Sequence, residues 1–293
     1  MSTRDAATAR STWRRMESIH AVTYFSPEPV GALADAGYRG FWMGYFAGRA
    51  APLGAAGPEV VAALFYNFAL ARVAKALPDA WGFAAPEVAL ERRLTGSVAA
   101  LTRAFGARGD IDHDLSADVD VASELAGRVA RSASPDGRAL FAANAALAWP
   151  DDPLAALWHA ATLLREQRGD GHVATLVANG ITGRQANVLQ AAAGNTSRDV
   201  MFVARDYDDG EWAAIVAALG ERGLVTGENE LTDEGAALHA EIERRTDELA
   251  LAAFDCLDDD ELERLGAALR PLAAAVAATG DLPAMTPMGR ITD

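Results

Sequence analysis

Apolar residues recur at helical spacing from the start of the chain. Trp13, Met16, His20 and Tyr24 fall at i, i+3, i+7 and i+11, which places them on one face of a helix. Residues 40–49 are apolar all round until the final arginine, a pattern that predicts a buried helix. Pro52, Gly54 and Gly57-Pro58 break it. Pro58 suits the first position of a new helix through Val60, Val61, Leu64, Phe65 and Phe68. Between residues 107 and 120 the chain turns polar and acidic, around Gly109-Asp-Ile-Asp-His-Asp114, and this is the best domain boundary. A second helical block starts near Val121. Trp149-Pro-Asp-Asp-Pro153 reads as a turn, and a helix over 154–167 ends in the cap-like run Arg168-Gly-Asp-Gly171.

From residue 181 the pattern becomes specific. Helices are predicted over 181–193, over 197–204 with Thr196 or Ser197 as cap, and over 212–222, opened by Asp208-Asp-Gly-Glu211 and closed by Gly223. Residues 224–231 read as two short strands around a Gly-Glu-Asn turn, and Thr232 caps a further helix with an acidic first turn. Three helices, a hairpin and a following helix describe a winged helix.

Leu219-Gly-Glu-Arg-Gly-Leu-Val225 followed by Leu231-Thr-Asp-Glu-Gly235 resembles the end of a MarR-type winged helix. With 19–25, 41–49, 157–165 and Gly169-Asp-Gly-His172, the chain resembles, over nearly its full length, an actinobacterial winged helix-turn-helix family related to the MarR regulators. The resemblance implies a mostly α fold: a helical N-terminal half over 1–110, then 121–293, comprising a helical segment, a MarR-like winged helix-turn-helix at 181–235 and C-terminal helices. MarR proteins are two-fold dimers, so it further implies a homodimer or a single-chain pseudo-dimer whose N-terminal half is a degenerate winged-helix repeat. An internal echo fits the latter: 46–60 and 159–173 share a helix, a glycine-containing break and a Val-led helix.

Charge changes the functional expectation. The chain has 26 Lys and Arg against 41 Asp and Glu, a formal net charge of -15, which repels phosphate backbones and anionic lipid. The resemblance implies a third helix in the major groove and wing arginines in the minor groove. Yet 205–223 sets Arg205 and Arg222 against Asp206, Asp208, Asp209, Glu211 and Glu221, and the wing carries Glu228 and Glu230 with no base. Trp212–Leu219 also lacks the Arg, Lys, Asn or Gln that read base edges. DNA is therefore not the expected partner of this element. Arg92, Arg93 and Arg103 are the basic cluster through which a DNA surface elsewhere would have to act. A single cysteine, Cys256, forbids an intramolecular disulfide and is read as a small core residue. With neither a secretory signal nor an apolar run long enough for a bilayer, the expected location is cytoplasmic, away from membranes.

No metal signature is present: His20, His113, His159, His172 and His239 are widely spaced, with no H-E-x-x-H or C-x-x-C. No G-x-S-x-G, Walker or G-x-G-x-x-G pattern occurs either. No cofactor is specified, although His159 and His172 are the residues an axial haem or metal ligand would use. The remaining clue is polar residues embedded in apolar helices, because burial demands a partner for each. His20, Tyr24, Arg49, Asn67, Asn144, His159, Arg165 and His172 would form the polar lining of a cavity walled by Trp42, Tyr45, Phe46, Phe65 and Trp158. His172 is read as capping or lining the start of a following helix. Arg165 and Glu166, about 100° apart on a helix, are read as facing solvent unless Arg165 meets an anionic group. The resemblance implies a pocket for small aromatic or phenolic ligands.

The leading expectation is small-molecule binding in an interhelical pocket of a scaffold that has lost DNA binding, with repurposing as an enzyme of specialised metabolism left open. In the enzymatic version His20 or His159 is the acid–base, Tyr24 a hydrogen-bond donor, and Arg49 or Arg165 the partner of an anionic group. The alternatives are a MarR-like ligand-responsive transcriptional regulator and a protein-interaction module that uses the acidic surface.

Overall fold

The computed structural model describes residues 6–106, 114–287 and 289, so of the boundary expected over 107–120 the part at 107–113, with His113, lies outside them, while a helix has begun by Ser116. The described chain is mostly helical. It opens with α1 (Ala6–Phe25), α2 (Pro27–Asp35), α3 (Gly40–Ala50), α4 (Pro58–Phe65), α5 (Leu70–Ala74) and α6 (Pro86–Gly106). Prolines open α2 and α4, where the missing N–H has no helical partner to lose. There follow α7 (Ser116–Ser132), α8 (Ala139–Ala145) and α9 (Pro153–Ala178), the last capped by the Asp152 side chain on the Ala155 N–H. The chain then forms α10 (Gly183–Ala192), α11 (Arg198–Arg205), α12 (Asp209–Glu221), α13 (Asp233–Leu251) and α14 (Asp259–Ala278).

Three apolar clusters hold these elements. Met16, Leu101, Leu125, Trp158 and Leu265 join α1, α6, α7, α9 and α14. Phe46, Val61, Phe65 and Phe68 bring α3, α4 and the segment after α4 together. Val188, Met201, Trp212, Leu219 and Ile242 bind α10 to α13. Helix α9 runs between the clusters, buried on nearly every side from Ala155 to Gln167.

Several expectations are corrected. The stop at Arg168-Gly-Asp-Gly171 does not occur, because α9 continues to Ala178 and ends before Gly180, at φ +63°. The glycines there serve packing: a Cβ on Gly171 would lie 3.4 Å from the Leu249 Cβ of α13. The helix–break–helix echo at 159–173 is thus one uninterrupted helix, and His172 sits inside it. Helix α3 is buried or half-buried from Trp42 to Ala50, and only Gly40 and Phe41 at its start are exposed. Helix α4 stops at Phe65, since Tyr66 has φ 49°. Cys256 is exposed, between buried Phe254 and Leu257. Arg92, Arg93 and Arg103 form no basic surface: Arg93 is buried on the Gly48 carbonyl and Asn144, while Arg103 pairs with Glu28 and Asp281.

The turn after α4 docks on α10. Tyr66 donates its hydroxyl to the Ile181 carbonyl at 2.6 Å, and Asn67 and Asn187 exchange hydrogen bonds at 3.0 Å. Gly183 makes this contact feasible, because a Cβ there would stand 1.9 Å from the Tyr66 carbonyl oxygen. In the C-terminal unit, Thr182, Ser197, Asp208 and Thr232 cap α10, α11, α12 and α13 through their side chains. The hairpin expected between α12 and α13 is reduced to one antiparallel bridge, Val225 with Leu231, closed by Thr226 N–H to the Glu230 carbonyl at 2.8 Å. The Leu-Thr-Asp-Glu-Gly235 run has a direct physical reading: Thr232 caps the helix, and Gly235 admits the Leu224 carbonyl, 1.9 Å from where a Cβ would be.

Gly183→Ala is expected to lose about 2 kcal/mol or more by overpacking the docked turn. Gly31→Ala, which meets nothing within 4 Å inside α2, is expected to gain roughly 0.5–1 kcal/mol. Urea unfolding of both variants checks the pair; equal effects would contradict the close approach.

Candidate functional site

The junction of α1, α3, α9, α10, α11 and α13 frames a cavity of about 930 Å³ that opens to solvent, within the range that accepts a small organic molecule. Trp13 of α1, Tyr45 and Arg49 of α3, and Phe65, Asn67 and Phe68 form one side. Arg165, Glu166, Arg168, Asp170 and His172 come from α9, Gln190 from α10, Arg205 from the end of α11, and His239, Glu243 and Asp247 from α13.

The charges are organised around Glu166. Its carboxylate, 2% exposed, accepts two bonds from Arg49, both at 3.1 Å, and one from Arg165 at 2.7 Å. Burial favours the neutral acid, yet Arg165 and Arg49 overcome it and hold the carboxyl well below the usual range. Arg49 lies over the Phe65 ring at 4.0 Å. Arg165 also faces Glu17 at 3.7 Å, too far for a hydrogen bond. Neither Glu17 oxygen has a hydrogen-bond partner among the described residues. Burial consequently pushes the Glu17 carboxyl up to about 7, against the attraction of Arg165. A second set ties α1, α9 and α13: Arg168 reaches Glu243 at 3.4 Å and Asp247 at 3.0 Å, Arg10 reaches Asp247 at 2.8 Å, and Arg168 stacks on Trp13 at 4.2 Å.

Arg205 is different. Its guanidinium lies 4.2 Å from the Phe68 ring centre, its Nη1 donates to the Ala204 carbonyl at 3.2 Å, and its buried Nε–H has no acceptor among the described residues. Burial pulls its pKa down to about 10. The neighbouring Asp206 is drawn elsewhere, to Lys75 at 2.6 Å and Arg72 at 3.5 Å.

His172 and His20 are held neutral by burial. Thr246 donates its hydroxyl to the Ile242 carbonyl at 2.7 Å, so it accepts from His172 Nδ1 at 2.9 Å and leaves Nε2 with its lone pair. Burial lowers His172 to about 4. By the same logic Thr162 donates to the Trp158 carbonyl and accepts from His20 Nδ1 at 2.9 Å, and Tyr24 donates to His20 Nε2 at 3.1 Å. Burial holds His20 well below its usual value and pushes Tyr24 up.

Of the residues singled out in the sequence, the structure brings Tyr45, Arg49, Phe65, Asn67, Arg165 and His172 to the cavity wall. His20 and Tyr24 stand a layer behind it, Tyr24 with its ring 5.0 Å from Tyr45. Trp42 and Phe46 pack in the aromatic cluster with Phe68. Trp158 is core and bonds Thr23 at 2.9 Å; Asn144 holds Arg93. His159 lies away from the cavity, 4.9 Å from the Trp149 ring, and burial lowers it to about 4. Arg165 and Glu166 do not face solvent, because each is the other's partner inside the wall. Glu166, Arg168, Asp170 and Arg205 were not among the sequence candidates. The first three would have emerged from a continuous α9, where acids and bases sit on a helix buried all round. Arg205 was legible only as a base of the recognition region.

The outward face of α12 presents Ala213, Ala214, Ala217, Gly220 and Glu221. Nearby cations are engaged within the chain: Arg222 donates to the Gly180 and Asn179 carbonyls, Arg184 pairs with Glu211, and Arg198 with Asp209. Among the described residues no group of histidine, cysteine and carboxylate side chains is placed to hold a metal ion, and no helix is long and apolar enough to cross a membrane.

The sequence model of a helix-turn-helix family matches residues 9–283, and the chain belongs to that family. No curated protein and no solved structure matches the chain.

Two outcomes follow from the buried charges. Glu166→Gln leaves Arg49 and Arg165 without their shared anion and is expected to cost about 3–5 kcal/mol in urea unfolding. Glu17 is raised from 4.5 to about 7, so the stability it confers is complete below the lower value and lost as pH rises through the upper one. Relative to the natural chain, Glu17→Gln should therefore gain about 3 kcal/mol between those limits. A difference between the two chains that is constant with pH would contradict the assignment.

Proposed function

We propose that this helix-turn-helix protein is a small-molecule receptor whose ligand occupies the cavity between its helix-turn-helix unit and its N-terminal helices. The observation that carries this reading is the cavity itself: about 930 Å³, walled by aromatic rings and by arginines fixed through stacking and ion pairs. Such walls are pre-organised, so binding demands little reordering of side chains. We also read the α10–α13 unit as a MarR-like winged helix, on the strength of its caps, its single-bridge wing and Gly235. The internal duplication is not carried forward, since its second copy is an unbroken helix.

In this reading α12 has ceased to read DNA. Its outward face is alanine and glycine, which offer no hydrogen bonds to base edges, and the nearby arginines are tied to carboxylates and carbonyls of the same chain. The rival reading, a ligand-responsive regulator, draws on one observation: Arg205 ends α11 next to the turn into α12, so a ligand touching it would touch the DNA-reading unit.

Native mass spectrometry of protein isolated under gentle conditions, together with fluorescence-anisotropy titration against its own upstream DNA at moderate salt, separates the two. The receptor reading expects one small molecule retained per chain and no sequence-dependent DNA binding. Salt-sensitive, sequence-dependent binding would establish the regulator instead.

A further inference from the structure

Several cations of the cavity wall meet acids of the same chain, and Arg205 does not. Arg49 and Arg165 share Glu166, with Glu17 behind; Arg168 and Arg10 share Glu243 and Asp247. Arg205 has no carboxylate within ion-pair reach among the described residues, in a chain whose acids outnumber its bases by 41 to 26. The acids closest to it in sequence are committed elsewhere, Asp206 to Lys75 and Arg72, and Glu211 to Arg184. Arg205 is half-buried, and leaving its buried Nε–H without an acceptor is costly. Stacking on Phe68 fixes the plane of the guanidinium, and a fixed plane presents its N–H edge as a fork.

We propose that Arg205 is the anchor for the anionic group of a ligand, a carboxylate or sulfonate, whose paired oxygens the planar fork of a guanidinium matches. This rests on the reading of the cavity as a ligand site. The ring faces of Phe65 and Phe68 already carry Arg49 and Arg205, so the aromatic residues on that wall orient the guanidiniums. Polar groups also line the cavity from α9, α10 and α13. His172 Nε2 offers a lone pair, and Gln190 Oε1 accepts from Asn195 at 2.7 Å and from His239 Nε2 at 3.0 Å. A ligand with its anionic group at Arg205 and a hydrogen-bond donor at its far end would satisfy both.

The test compares two fluorescent probes that share their rings and differ in charge: 1-anilinonaphthalene-8-sulfonate and the neutral N-phenyl-1-naphthylamine. Both are titrated into the full chain, with circular dichroism confirming the fold. The sulfonate is expected to bind once per chain, about tenfold more tightly than the neutral probe. Arg205→Gln should weaken the sulfonate about tenfold and leave the neutral probe within about twofold. If Arg205→Gln leaves sulfonate affinity unchanged, or weakens both probes alike, the anchor assignment is overturned while the cavity reading stands. Val173→Trp, or Ala240→Trp should the first misfold, narrows the cavity and should exclude both probes. If neither variant displaces them, or if neither probe binds the natural chain, the cavity reading falls with the anchor.

Discussion

The interior depends on one carboxylate. Glu166 sits on a helix that the surrounding elements cover almost completely, and its charge survives there only because Arg49 and Arg165 converge on it. Arg49 arrives from α3 and Arg165 from α9 itself, so the ion pair fixes how the N-terminal helices cross the central one. The same contact places Arg49 on Phe65 and so shapes one wall of the cavity. It also accounts for Glu17: the arginine that would neutralise it is turned toward Glu166, and the second carboxyl is left to hold its proton near neutral pH. Removing one partner of such a set exposes the desolvation cost of the others.

Function follows from how the arginines are allotted. In an acidic chain several arginines of the helix-turn-helix unit are engaged by the protein's own carboxylates and carbonyls. Arg222 closes on the end of α9, Arg184 on Glu211, and Arg205 on the cavity. The cavity is bounded by helices joined through caps, ion pairs and close glycine contacts, and under the proposed receptor reading its walls are set before a ligand arrives.

The sequence made much of the C-terminal unit legible, because its caps and glycines act locally. Ser197, Asp208 and Thr232 cap the helices that their positions suggest, and Gly223 and Gly235 mark real constraints. The cavity was only half legible. Tyr45, Arg49, Phe65 and Asn67 stood out as polar or aromatic residues in apolar segments, and they reach the wall. Glu166 and Asp170 did not, since Arg168-Gly-Asp-Gly171 looks like a helix end when α13 is not known to press against Gly171. Glycines that make room for a neighbouring helix and glycines that end a helix are the same letters. His20 and Tyr24 show the converse: their spacing is right for a shared face, but Thr162 and Trp158 occupy that face and satisfy them a layer from the cavity. Long-range pairing decides these cases, and periodicity carries no record of it.

The central claim is that Arg205 faces the cavity with no carboxylate partner among the described residues and binds an anion there. Anomalous scattering from crystals soaked in bromide tests it whatever the natural ligand is. The account predicts a bromide peak inside the cavity against the Arg205 guanidinium, absent in Arg205→Gln. A cavity that contains only water while bromide occupies surface arginines would contradict it.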